Sequence, residues 1–142
     1  MNKQTQKHVI SEEIAIEEIK SYLSNFEIEL NNDEVKENYP KVLQSVMEGR
    51  LVFDSDLTPN YELLSPMNPD SIEFKVTHIK FKTRILPTTM ASLARGLDLK
   101  KDAVNYSLVL ISHIVGFSTI TELDKLSKKD YSLIQELAPV FM

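Results

Sequence analysis

The 142-residue sequence predicts an α+β protein: a small antiparallel β-sheet of about three strands packed with two N-terminal helices and a mostly α-helical C-terminal half. Three patterns carry that expectation. Apolar residues recur at helical spacing up to Gly49, cluster or alternate between turn formers over 51–86, and return to helical spacing from residue 88 onward.

Ile16, Ile19, Leu23 and Phe26 follow a 3-4-3 spacing, with Glu12, Glu13, Glu17 and Glu18 gathered in the first turns. This predicts an amphipathic helix over 11–25, with Ser11 as its N-cap and acidic residues favourably placed at the positive end of the helix dipole. Phe26, Ile28 and Leu30 then alternate with Glu27 and Glu29, a pattern that fits either a short strand or the helix end. Asn31-Asn32-Asp33 interrupts the pattern, and Val35, Tyr39, Val42 and Val46 resume it at 4-3-4 spacing as far as Gly49, a suitable C-terminal cap. Pro40 means that this second helix either kinks there or begins there, since proline fits only a first turn without disruption.

Leu51-Val52-Phe53 and Tyr61-Glu62-Leu63-Leu64 flank the turn-forming run 54–60, which predicts a hairpin with a longish loop. Residues 72–85 read as a long strand whose apolar parity switches from Ile72, Phe74 and Val76 to Ile79, Phe81 and Ile85, so a bulge near Thr77-His78 is expected. After Pro87, helices are predicted at 88–96, 99–115, 119–126 and 128–138, with Gly96 and Gly116 ending the first two. Segment 103–117 is apolar nearly all round, the mark of a buried central helix or of one covered by a partner. Thr119 to Glu122 and Ser127 to Asp130 resemble capping boxes.

With 42% hydrophobic and 26% charged residues, the chain has ordinary globular composition and is expected to form one domain over 1–142. That domain would comprise an acidic helical extension (1–50), a hairpin plus long strand (51–86) and a helical cluster (87–142). Met1 to His8 is polar and no stretch of about 18 apolar residues occurs, so neither export nor membrane spanning is expected, and cytoplasm is the expected location. The net charge of −5 is uneven: residues 1–65 carry 13 acidic against 6 basic residues, and residues 66–142 carry 8 against 10. An acidic front and a nearly neutral back do not make a nucleic-acid platform.

The residues that could carry chemistry do not assemble in the sequence. Asp70, Glu73 and Lys75 have the letters of a metal-dependent nuclease signature, yet they sit within six consecutive residues rather than on separate strands. Asp54-Ser55-Asp56 lacks the glycine and glutamate that complete a calcium loop. Cysteine is absent, His8, His78 and His113 are far apart, and the three glycines form neither a nucleophile elbow nor a phosphate loop. No catalytic residue, metal ligand or cofactor is therefore assigned. Lys75, Lys80, Lys82 and Arg84 read as a solvated or edge-protecting series, with docking to an acidic partner as the other reading.

From Tyr61 onward the chain resembles the small tail assembly chaperones of tailed bacteriophages. The likeness rests on the order of signals: short strands lead into Arg84-Ile85-Leu86-Pro87-Thr88, then a short helix closes at Gly96-Leu97-Asp98. A long apolar helix ends in Val115-Gly116-Phe117, and Leu126 to Asp130 steps into a final helix near Phe141. Residues 1–50 depart from that pattern. The resemblance implies a non-enzymatic protein of the host cytoplasm that binds the tape-measure or tail-tube protein before tail assembly. A structural subunit of a tail or baseplate, retained in the virion, is the alternative, and a homo-oligomer is compatible with both. A partner helix is expected in a groove formed by Ile16, Ile19, Leu23 and Phe26 with Val35, Tyr39, Val42 and Val46, unless these faces pack on each other.

Overall fold

The computed structural model describes residues 9–142; Met1 to His8, whose polar character enters the expectation about export, lie outside the described residues. Helix α1 (Glu12–Ser24) begins where the sequence places it, with the Ser11 hydroxyl accepting from the Ile14 amide at 3.3 Å. The alternating segment that follows forms no strand. It leaves α1 in a turn that puts Glu27 at φ 61°. The Asn31-Asn32-Asp33 interruption is itself a helix start: Asn31 Oδ1 accepts from Glu34 N at 2.8 Å, and Glu34 Oε1 accepts from Asn31 N at 2.9 Å.

Pro40 divides the second expected helix. Helix α2 (Asn32–Asn38) stops at Tyr39, and α3 (Pro40–Met47) starts with the proline in its first turn, where its missing N–H costs nothing. Gly49 closes α3 at φ 75°, and a Cβ there would meet Val9 Cγ2 at 3.0 Å, so both backbone conformation and space favour glycine.

The sheet has the order β1-β2-β3 and is antiparallel throughout. Strands β1 (Leu51–Phe53) and β2 (Pro59–Met67) form the expected hairpin, with Leu51 opposite Tyr61. Strand β3 (Val76–Lys80) is much shorter than the sequence implies. Asn68 donates to the Phe74 carbonyl at 2.9 Å and the Phe74 amide donates to Ser71 Oγ at 2.9 Å. These bonds hold 68–74 in a turn, with Ile72 and Phe74 exposed rather than paired. The expected irregularity therefore lies on the other strand: Glu62 pairs with His78 and Met67 with Val76, so residues 63–66 of β2 face only Thr77.

The C-terminal half contains α4 (Pro87–Ala94), α5 (Ala103–Ile114), a 3₁₀ turn (Ile120–Lys125), α6 (Lys128–Leu137) and a second 3₁₀ turn (Ala138–Phe141). One contiguous core joins the front of the chain to its back, from Ala15, Ile16 and Ile19 through Tyr61 and Ile79 to Ile114, Ile134 and Phe141. Aromatic contacts tie it together: Phe26 meets Phe141 edge-on at 5.3 Å, and Phe141 lies 6.2 Å from Phe81.

Two carboxylates on α6 complete this arrangement. Asp130, fully buried, accepts from the Tyr61 hydroxyl at 2.6 Å, the Leu64 amide at 2.9 Å, the Ser65 amide at 3.1 Å and the Ser127 hydroxyl at 2.8 Å. Ser127 caps α6 by accepting from the Asp130 amide, but the Asp130 side chain turns inward instead of closing the box the sequence implies. It thus serves the irregular part of β2, where strand pairing lapses, while its charge sits favourably at the N-terminus of α6. Glu136 Oε1 accepts from Lys41 N at 2.9 Å and Val42 N at 2.8 Å, capping α3 in place of Tyr39, whose side chain makes no cap.

Candidate interaction surface

The groove expected from the N-terminal faces is already filled. Ile16, Ile19, Leu23, Val35, Val42 and Val46 are buried in the core, and Phe26 and Tyr39 pack half-buried against it. These eight residues correct the groove expectation: α1, α2 and α3 use their apolar faces on one another, so no partner helix can reach them without unfolding the front of the chain. The Lys36 to Glu12 ion pair at 3.2 Å links α2 to α1 on the outside.

Some uncovered apolar surface lies on and beside α4 and α5. Helix α4 buries no residue at all, and Met90 and Leu93 are only partly covered. Helix α5 buries Leu110, Ile111, Ser112 and Ile114 near its C-terminal end, whereas Val104 in its first turn is 74% exposed. Leu99, in the α4–α5 connection, is 53% exposed and Leu86, before α4, is 48% exposed. The two helices form a hairpin joined to the body through the last turns of α5. A cavity of about 350 Å³ lies beneath Leu93, lined on the other side by Val109, Phe117 and Ile120. Helix α5 thus buries its C-terminal end, packs Tyr106 and Leu108 partly against the core, and leaves Val104 to solvent.

The other residues singled out by the sequence do not converge. Asp56 Oδ1 accepts from the Thr58 amide at 3.2 Å inside the β1–β2 turn. Glu73 and Lys75 share a crevice with Glu122 and Lys125, but one Glu122 oxygen already accepts from the Ser118 and Thr119 amides at 2.9 and 3.2 Å. Among the described residues no group of three His, Asp or Glu side chains could hold a metal ion. Burial, with Lys82 nearby, lowers the pKa of His113. Lys75, Lys80, Lys82 and Arg84 are exposed along β3 and the segments flanking it, and β3 is an edge strand.

Asp130 and Glu136 escape sequence reasoning because their partners lie far away in the chain. The α5 signal was visible, but periodicity cannot distinguish its two explanations.

Fold and surface together define an α+β protein whose exposed large apolar side chains are spread over several places, among them Leu99 and Val104 at the α4–α5 hairpin and Ile72 and Phe74 in the 68–74 turn. The chain matches no family model, no curated protein and no solved structure. Among the described residues no helix is long and apolar enough to cross a membrane.

Proposed function

We propose that this chain is a non-enzymatic protein-binding protein, a tail assembly chaperone that holds the tape-measure or tail-tube protein through its α4–α5 hairpin before the tail is built. Leu99 in the connection and Val104 in the first turn of α5, both more than half exposed on a hairpin whose α4 buries no residue, are the observation that supports the reading. Fully burying each such side chain contributes about 1.5–3 kcal/mol. A partner helix laid along the hairpin would therefore gain affinity without disturbing the core. Action is by mass balance: occupying the unassembled partner lowers its free, aggregation-prone concentration until assembly competes it away.

The test is co-expression with a candidate tape-measure protein, long and helix-rich. Wild type is expected to keep that protein soluble and to co-purify with it, and the Leu99→Asp/Val104→Asp double variant to do neither. Equal solubilisation by both would refute the hairpin as the binding face. Mass spectrometry of purified particles separates chaperone from structural subunit: a stoichiometric amount in the virion would assign it to the finished tail.

A further inference from the structure

A second surface, sharing no element with the α4–α5 hairpin, has a different chemistry. Between α1 and the β1–β2 turn runs a groove of about 730 Å³. Its floor is the Tyr22 ring stacked on Phe53, with centroids 4.0 Å apart and planes 14° from parallel. The Tyr22 hydroxyl donates to the Leu57 carbonyl at 2.6 Å and so ties the turn to α1. Burial, reinforced by Asp56, raises the Tyr22 pKa, so this hydroxyl stays a donor through the neutral range.

Two apolar side chains stand at the lips: Ile14, 55% exposed on the outer side of α1, and Leu57, 38% exposed with its backbone at φ 66°. A branched apolar residue in the left-handed region is sterically disfavoured, and here that conformation sets Leu57 beside the groove. The rim is acidic. Glu13, Glu17, Glu18 and Asp54 line it, and among the described residues no lysine or arginine does. Among the described residues the ion pair made by this rim is a loose one, from Glu17 to Lys20 at 3.8 Å.

We infer that this groove binds a basic amphipathic helix of a partner protein, apolar side chains seated on the aromatic floor and lysine or arginine heads reaching the carboxylate rim. Charge complementarity selects this occupant. Long basic side chains lay aliphatic stems along apolar surface and keep their charge at the edge, and a ring face attracts a nearby cation. An acidic or neutral helix would leave the rim carboxylates facing one another without compensation. The inference does not depend on the hairpin reading, because the two surfaces can be altered separately.

The probe is a fluorescein-labelled amphipathic peptide of leucine and lysine, about 18 residues long, followed by anisotropy. Its controls are a leucine–glutamate peptide with the same apolar face and a composition-matched scrambled leucine–lysine peptide. Wild type is expected to bind the amphipathic basic peptide, with affinity falling as salt rises from about 50 to about 300 mM. Glu17→Lys/Glu18→Lys is expected to weaken binding roughly ten-fold or more, while Glu29→Lys/Glu37→Lys, the same charge change outside the groove, costs far less. Ile14→Asp should weaken binding as well. All these positions are exposed, so the variants keep the fold, which circular dichroism checks. Equal loss in the two charge-reversal pairs, or equal binding of the scrambled peptide, would reduce the effect to net charge and overturn the inference. Absence of peptide binding together with self-association abolished by Ile14→Asp would assign the groove to a second copy of this chain and overturn it too.

Discussion

Asp130 shows how much of the fold a single side chain can hold. Its carboxylate satisfies the Leu64 and Ser65 amides where β2 loses its strand partner, and also the buried Tyr61 hydroxyl, whose pKa is raised by burial and by that hydrogen bond. Removing the acceptor leaves the buried Tyr61 hydroxyl without its partner, at about 1–3 kcal/mol, and takes a bond from three part-buried donors as well, the Leu64 and Ser65 amides and the Ser127 hydroxyl. Asp130→Ala is therefore expected to lose about 4 kcal/mol in urea denaturation, whereas Tyr61→Phe, which removes one bond and leaves the carboxylate its others, should lose about 1 kcal/mol. A loss below about 1 kcal/mol for Asp130→Ala would show that the strand does not need it. Glu136 is the opposite case. Burial raises its pKa from the ordinary 4.5, while the Val42 and Lys41 amides pull it back. A carboxyl with a raised folded-state pKa contributes stability that is complete below the unfolded value and is lost as pH rises through the folded value. Glu136→Gln keeps an acceptor for α3 and has no charge to desolvate. It should match wild type near about pH 4 and become the more stable of the two toward about pH 7, as read from denaturation midpoints. Glu136→Ala should cost about 1 kcal/mol near about pH 4 through loss of the cap, and less toward about pH 7, where it too has no buried charge.

At the scale of elements, burial predicts where the molecule opens first. Helix α4 buries no residue and lies over a cavity, whereas α1 and α6 sit in the core. Hydrogen exchange followed by mass spectrometry should find α4 amides exchanging at least about ten-fold faster than those of α1 or α6, because local opening there exposes little apolar surface. Equal protection would mean that α4 is held by more than its packing on α5. The elements that were legible in the sequence are those whose causes are local: the stripe from Ile16 to Phe26, the proline at the start of α3 and the glycines at φ 75° to 83° all state their roles within a few residues. Strand β3 was overread because Ile72 and Phe74 have the composition of a strand. The Asn68 and Ser71 side chains, which form a turn around them, outweigh that propensity. The groove on α1 escaped notice for a related reason. Nothing near Ile14 in the sequence points to it, because only the β1–β2 turn brings Leu57 and Phe53 opposite it.

For the whole molecule, fold and recognition surfaces are separable. Leu99 and Val104 contribute little to the core, so Leu99→Asp/Val104→Asp should leave thermal unfolding within about 0.5 kcal/mol of wild type while abolishing partner solubilisation. A large loss of stability in that variant would place these residues in the folding core and remove the hairpin from consideration. The fold class was readable from the sequence because it follows from the order of periodicities, helix then strand then helix. The partner surface was not readable, since an apolar stripe looks alike whether the chain covers it or leaves it bare.

The cap that Glu136 places on α3 also orders events in time. The amides of Lys41 and Val42 are made early in synthesis, but the carboxylate that receives them emerges some ninety-five residues later, and Phe141 emerges about a hundred and fifteen residues after the Phe26 it meets. The three front helices of a nascent chain can pack on one another, but they lack the cap on α3 and the Phe26–Phe141 contact until the C-terminal residues have been made.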